Sequence, residues 1–209
     1  MPSRPRRKFG PSQKDRIFFA VLPDAETAAR IHALAGALKA KHGLGGTLIL
    51  PEHLHITLFH LGDWRELPQA IVEIASKAAG EIAAAPFEVA CRRAESFRNS
   101  TGVYPFVLLA EPGATPLHAF QQALGAALKK NGLGGATQGD FKPHVTLLRD
   151  DTRVKPVPVG PLSWTVRDFV LVHSLLGQTR HIHLGRWPLR DWRPRGFPDR
   201  YAGTSGLTG

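Results

Sequence analysis

Two four-residue segments constrain this chain more than anything else in it: His55-Ile56-Thr57-Leu58 and His144-Val145-Thr146-Leu147. Each reads histidine, apolar residue, threonine, leucine, and each follows a long alanine-rich stretch and a glycine-rich link. Side chains alternate across a strand. In an extended segment the imidazole and the hydroxyl therefore share one face, roughly 6.6 Å apart, while the apolar pair anchors the other. The chain has 10 His and 12 Thr in 209 residues. Chance then supplies about 0.6 His-x-Thr triplets, and about 0.1 once apolar residues are required at positions two and four. Two such segments at corresponding places in the chain point to two half-domains facing each other across a cleft.

The intervening sequence reads as strands and helices in alternation. Residues 16–22 form an apolar, aromatic run ended by Pro23 and predict a buried strand. Asp24 offers an N-cap to an Ala- and Leu-rich helix over 25–41, with Ile31, Leu34, Ala35 and Leu38 on one face and His42-Gly43 as its stop. Strands are expected at 47–50, 53–61, 87–97, 103–110 and 141–148, and a final pair at 164–175 and 181–187, around Gly177-Gln178. Further helices are expected at 67–84 and 116–130. The expected fold is α+β and bilobal, with pseudo-twofold symmetry, mainly antiparallel sheets, helices packed outside and a central cleft. Residues 16–189 read as one bilobal domain, 1–15 as a disordered basic tail and 190–209 as a flexible C-terminal tail rich in Pro, Gly and Arg.

Composition narrows the function. No apolar run reaches the ~18 residues that span a bilayer, so no membrane partner is expected. The polar, basic start of the chain does not read as a secretion signal. The single cysteine, Cys91, excludes an internal disulfide framework and a multi-cysteine zinc site, and fits a reducing, cytoplasmic compartment. The net charge is +10, and Arg4, Arg6, Arg7, Lys8 and Lys14 supply half of it. That tail is either a solvated segment or an arm attracted to a polyanion; the excess elsewhere favours phosphate-bearing partners only weakly.

Two histidines meeting at a cleft suit displacement at phosphorus. Imidazole has an ordinary pKa near 6.5, so one copy can act as base and its twin as acid. The nucleophile loses a proton, the departing oxygen gains one, and the threonines can hydrogen-bond the non-bridging oxygens. The scheme needs no metal and no cofactor. Asp63, Asp140 and Asp150 lie near the motifs without a shared metal spacing. A zinc site built from His53, His55 and His144 would lack the usual cysteine and carboxylate ligands; His53 reads instead as an exposed residue between loop and strand.

The paired segments resemble the two H-x-T-x signatures of the 2H phosphoesterase superfamily. More narrowly, four segments resemble the bacterial RNA 2′,3′-cyclic phosphodiesterases of the 2′-5′ RNA ligase-like family. They are Arg16-Ile-Phe-Phe-Ala-Val-Leu-Pro23, Leu54-His-Ile-Thr-Leu-Phe-His-Leu-Gly62, Phe141-Lys-Pro-His-Val-Thr-Leu-Leu-Arg149 and the block 169–189 ending Arg186-Trp-Pro-Leu. The resemblance spans about residues 16–189 and implies opening of a terminal 2′,3′-cyclic phosphate on RNA, or of a small cyclic nucleotide, to a 2′-phosphate. By motif position it makes His55 the proton donor to the leaving 3′ oxygen and His144 the proton acceptor from water. Thr57 and Thr146 map onto phosphate-binding positions. Arg149 matches an arginine near the substrate phosphate, or is a strand-end surface residue. Phe141 matches an aromatic that could stack on a base, or packs in the core. Phe59 and His60 depart from a basic residue followed by an aromatic, and His181 stands where an aromatic hydroxyl is usual. These departures bear on base preference and substrate length. His173, His181 and His183 are expected to be structural or surface residues. Two other functions share the cleft: a nucleotide- or RNA-binding module without turnover, and RNA end joining at 2′-5′ linkages, which runs the same proton transfers backwards. A monomer is expected.

Overall fold

The computed structural model describes residues 15–111, 115–137, 140–176, 178 and 180–190. Most of the basic N-terminal arm, nearly all of the C-terminal tail, and Gly177 lie outside the described residues. Asp15, placed by the sequence in the tail, opens the first strand.

Eight strands and three α-helices follow one another along these residues: β1 (Asp15–Val21), α1 (Ala25–His42), β2 (Ile56–Trp64), α2 (Gln69–Gly80), β3 (Phe87–Ser96), β4 (Tyr104–Ala110), α3 (Thr115–Lys130), β5 (His144–Asp150), β6 (Val157–Val166), β7 (Asp168–Leu175) and β8 (Arg180–Pro188). The fold is α+β. The strands make one antiparallel sheet in the order β6-β3-β4-β5-β2-β1-β7-β8. Four strands lie on each side of its middle, where β2 meets β5 through the pair Ile56 and Val145, the second residues of the two motifs.

Local chemistry explains where the elements begin and end. Asp24 Oδ1 accepts from the Thr27 amide at 2.8 Å, and Gly43 closes α1 at φ 62°, a left-handed conformation that costs glycine little. Residues 47–50 form no strand. Instead Pro51–His53 make a 3₁₀ turn, opened by a proline whose missing N–H is no loss there. As a result β2 starts at Ile56, three residues later than the sequence suggests. β5 starts at His144 because Pro143 has no N–H for a ladder bond. Pro158, Gly160 and Pro161 disguise β6, and they are tolerated because β6 is an edge strand.

The helices cover one face of the sheet. On β1, Ile17, Phe19 and Val21 join the main core with Ile31 and Ala35 of α1, Ala75 of α2, and Leu117 and Leu124 of α3. Phe18 and Ala20 point the other way and pack with Val170 and Val172 of β7 in a small separate cluster. The cleft opens on this second face. No helix among the described residues is long and apolar enough to cross a membrane.

Candidate active site

The cleft holds about 640 Å³ and takes its lining from the run of strands from β5 to the edge at β8: His55, Thr57 and His60 beside or on β2; His144, Thr146 and Arg149 on β5; Arg16 and Phe18 on β1; Ser174 on β7; and His181 on β8, with Ile49 and His53 from the segment before β2. Five of the six sequence-derived candidates, His55, His144, Thr57, Thr146 and Arg149, line this one space. Ile56, Leu58, Val145 and Leu147 are buried on the opposite face, as alternation requires.

Both histidines are oriented by the same backbone device. His55 Nδ1–H donates to the carbonyl oxygen of His53 at 2.7 Å, and His144 Nδ1–H donates to that of Lys142 at 2.7 Å. A carbonyl only accepts, so Nδ1 carries the hydrogen and Nε2 of each ring is left for proton transfer. Each ring also rests on a phenylalanine. Phe18 stacks on His55 at 4.9 Å and 28°, and Phe97 meets His144 edge-on at 4.8 Å and 68°. The hydroxyls of Thr57 and Thr146 have no side-chain hydrogen bond among the described residues.

Strict alternation would send Arg149, five residues after His144, to the wrong face. A β-bulge corrects this. The register of β4 on β5 slips between Phe106 and Val107, where Leu148 and Thr146 are the partners and Leu147 is left over. In β2 the register slips in the same way at Leu58, between Phe59 and Thr57. Each bulge places two buried residues in succession, Leu58-Phe59 and Leu147-Leu148. Parity then flips, and His60 and Arg149 return to the cleft face.

Burial lowers both histidines, and different neighbours add to it. Burial, joined by the imidazoles of His144 and His53, pushes His55 down to about 4, against a weaker upward pull from the His53 carbonyl. His144 is also lowered, first by burial and then by the charges of Lys142 and Arg149, with the Lys142 carbonyl opposing. Lys142 is anchored to Glu95 at 2.9 Å and sits 4.3 Å above the Phe97 ring.

Sequence reasoning missed part of the lining. His53 and His181 are not peripheral: their rings lie 4.5 Å apart, and His181 lies 5.6 Å from His55. Burial, aided by His55 and His53, lowers His181 to about 4. The shared parity of His53 and His55 is legible in sequence, but the position of His181 depends on β7–β8 register. Phe141 stands apart from the cleft, edge-on to His118 at 5.3 Å and against the main core. His173 is buried between strands, its Nε2 2.9 Å from Asp15 Oδ1. Cys91 is buried, and burial pushes its thiol up to about 12, so it is no nucleophile near neutrality. Among the described residues no three His, Cys, Asp or Glu side chains are grouped to hold a metal ion, the trio His53, His55 and His144 included.

A family model for the 2′-5′ RNA ligase superfamily matches residues 23–177. The chain belongs to this superfamily. It is 28% identical over 185 residues to the RNA 2′,3′-cyclic phosphodiesterase of Escherichia coli K12, covering 85% of this chain and 98% of that protein. Among solved structures, it is similar to a phosphoesterase (TM-score 0.69, 27% identity, 84% of this chain and 98% of the other). It is also similar to Escherichia coli LigT complexed with 3′-AMP (TM-score 0.67, 27% identity, 84% and 98%). The superfamily and these relatives make this chain a phosphoesterase by kinship, with the 2H signatures on the two strands that meet at the sheet's centre.

Proposed function

We propose that the protein opens a 2′,3′-cyclic phosphate, at an RNA end or on a nucleoside, to a 2′-phosphate by acid–base catalysis between His55 and His144. The observation that carries this reading is the paired orientation of the imidazoles. Two Nδ1–H groups are tied to backbone carbonyls, which leaves each Nε2 free of that bond, and both rings line one cleft. His144 Nε2 takes a proton from water as its oxygen attacks phosphorus. The P–O3′ bond breaks in line, and His55 Nε2–H delivers a proton to O3′. One water is added, leaving a 3′-hydroxyl and a 2′-phosphate. Thr57, Thr146 and Arg149 hold the non-bridging oxygens as their charge rises.

The surroundings favour this division of roles. Lys142 and Arg149 disfavour an imidazolium at His144, which suits a base. His55 has imidazoles rather than fixed cations around it, so the substrate's negative charge can raise its proton affinity on binding. The relatives' names point the same way, one being an RNA 2′,3′-cyclic phosphodiesterase and one a protein crystallised with 3′-AMP. The reading includes activity without a metal, as a monomer, in a reducing cytoplasm that suits the single buried thiol.

The test is incubation of the full chain with adenosine 2′,3′-cyclic phosphate in excess EDTA. The 2′-phosphate is the expected product. Binding without product would make this a nucleotide-binding module, and a 3′-phosphate product would overturn the assignment of the leaving oxygen.

A further inference from the structure

Arg16 and His60 stand in the cleft wall without a part in the chemistry above. His60 is the counterpart of Arg149: each lies five residues after its motif histidine, and each is returned to the cleft by a bulge at the motif leucine. The side chain of Arg149 has no partner among the described residues, whereas His60 is tethered. Its Nε2 lies 2.8 Å from Asp63 Oδ1, and Asp63 also accepts Nε and Nη2 of Arg16, both at 2.8 Å. Three donors compensate the carboxylate. The guanidinium is fixed edge-on by two parallel bonds, with Nη1 left without a hydrogen bond to the described residues and the side chain 39% exposed. Ser174, directly across the ladder from Arg16, adds a hydroxyl to the same stretch of wall.

This group stands apart from the reacting centre. Thr57 and His60 are three residues apart, about 10 Å along a strand and somewhat less across a bulge. A ribonucleotide backbone repeats every six bonds, so the next phosphate in the 5′ direction falls within reach of Arg16 when the terminal cyclic phosphate lies between the catalytic pair. We propose that Arg16, held by Asp63 and flanked by His60, is a second anion subsite that receives the phosphate on the 5′ oxygen of the terminal nucleotide. The protein then selects phosphorylated or polymeric 3′ ends over nucleoside cyclic phosphates. This substrate class rests on the cyclic phosphodiesterase reading.

The test compares three substrates: adenosine 2′,3′-cyclic phosphate with a free 5′-hydroxyl, the same compound with a 5′-phosphate, and the dinucleotide ApA ending in a 2′,3′-cyclic phosphate. The expected kcat/KM is about tenfold higher for the 5′-phosphorylated compound than for the free hydroxyl, the size of one charge-assisted contact. In Arg16→Gln that ratio collapses toward one, Arg16→Lys restores part of it, and His60→Asn lowers it by a smaller factor. Thermal melts confirm that the variants are folded. Preference for the dinucleotide identifies an RNA phosphodiester as the natural occupant, and preference for the monoester identifies a free 5′-phosphate. A wild-type ratio near one, or a ratio that Arg16→Gln leaves intact, overturns the subsite. If the protein opens none of the three, the cyclic phosphodiesterase reading fails by itself. The subsite is then read from calorimetry of adenosine 2′,5′-bisphosphate against adenosine 2′-phosphate, where equal affinities reject it.

Discussion

The His55 side and the His144 side of the cleft share a skeleton and differ in their surroundings. On both, a histidine donates Nδ1–H to the carbonyl two residues back, a phenylalanine supports the ring, a threonine follows two residues on, and a bulge at the leucine re-aims the sixth residue. On the His55 side, the neighbours are His53, His181 and a stacked Phe18. On the His144 side, they are Phe97, Lys142 and Arg149. Backbone geometry thus orients the two imidazoles alike, and the groups around them differ in charge.

The strongest way to break that comparison is to remove each histidine in turn. Alanine at either position is expected to lower kcat/KM on a cyclic nucleotide by ~10²–10⁴ or more. A diester with a nitrophenol leaving group, which departs without a proton, should recover most of the loss in His55→Ala and little of it in His144→Ala. Equal recovery in both variants would mean that the two sides are interchangeable.

A second prediction concerns pH. The folded-state values of His55 and His181 lie at about 4, below the ordinary 6.5, and those of His144 and His183 move the same way. Between those values the unfolded chain binds more protons than the folded one. Stability is therefore greatest above pH 6.5 and falls as pH drops toward 4. The depressed carboxylates, Asp63, Asp24, Asp150 and Glu81, start from ordinary values of 3.8 to 4.5 and weaken the fold mainly below this window. Tm should decline from pH 7 to pH 5, and inorganic phosphate should reduce that decline by favouring the imidazolium forms. A flat profile, or a phosphate effect that grows with pH, would contradict this account.

The smallest expected effect lies outside the cleft. Residues 1–14 carry five cations and join β1 immediately before Asp15 and Arg16. Deleting them should flatten the salt dependence of RNA affinity while cyclic mononucleotide turnover changes little. An unchanged salt slope would make the arm a bystander and leave attraction to RNA with the cleft.

The α+β shape was legible in the sequence in outline, and so was the face on which each motif side chain lies. Two H-x-T-L segments, read with the period of a strand, placed imidazole and hydroxyl on one face and hydrocarbon on the other, because that alternation is local. The N-cap at Asp24 and the stop at Gly43 were legible for the same reason. Tertiary structure decided what depends on strand register. It set the meeting of Ile56 with Val145 and the bulges that bring His60 and Arg149 into the cleft. It also set the β7–β8 pairing that carries His181 to His53, the packing of Phe141 on His118, and the edge position that lets a proline-rich segment become β6. A residue's face follows from its own strand, but its partners follow from which strand lies beside it, and that choice is made by the burial of the whole sheet against its helices.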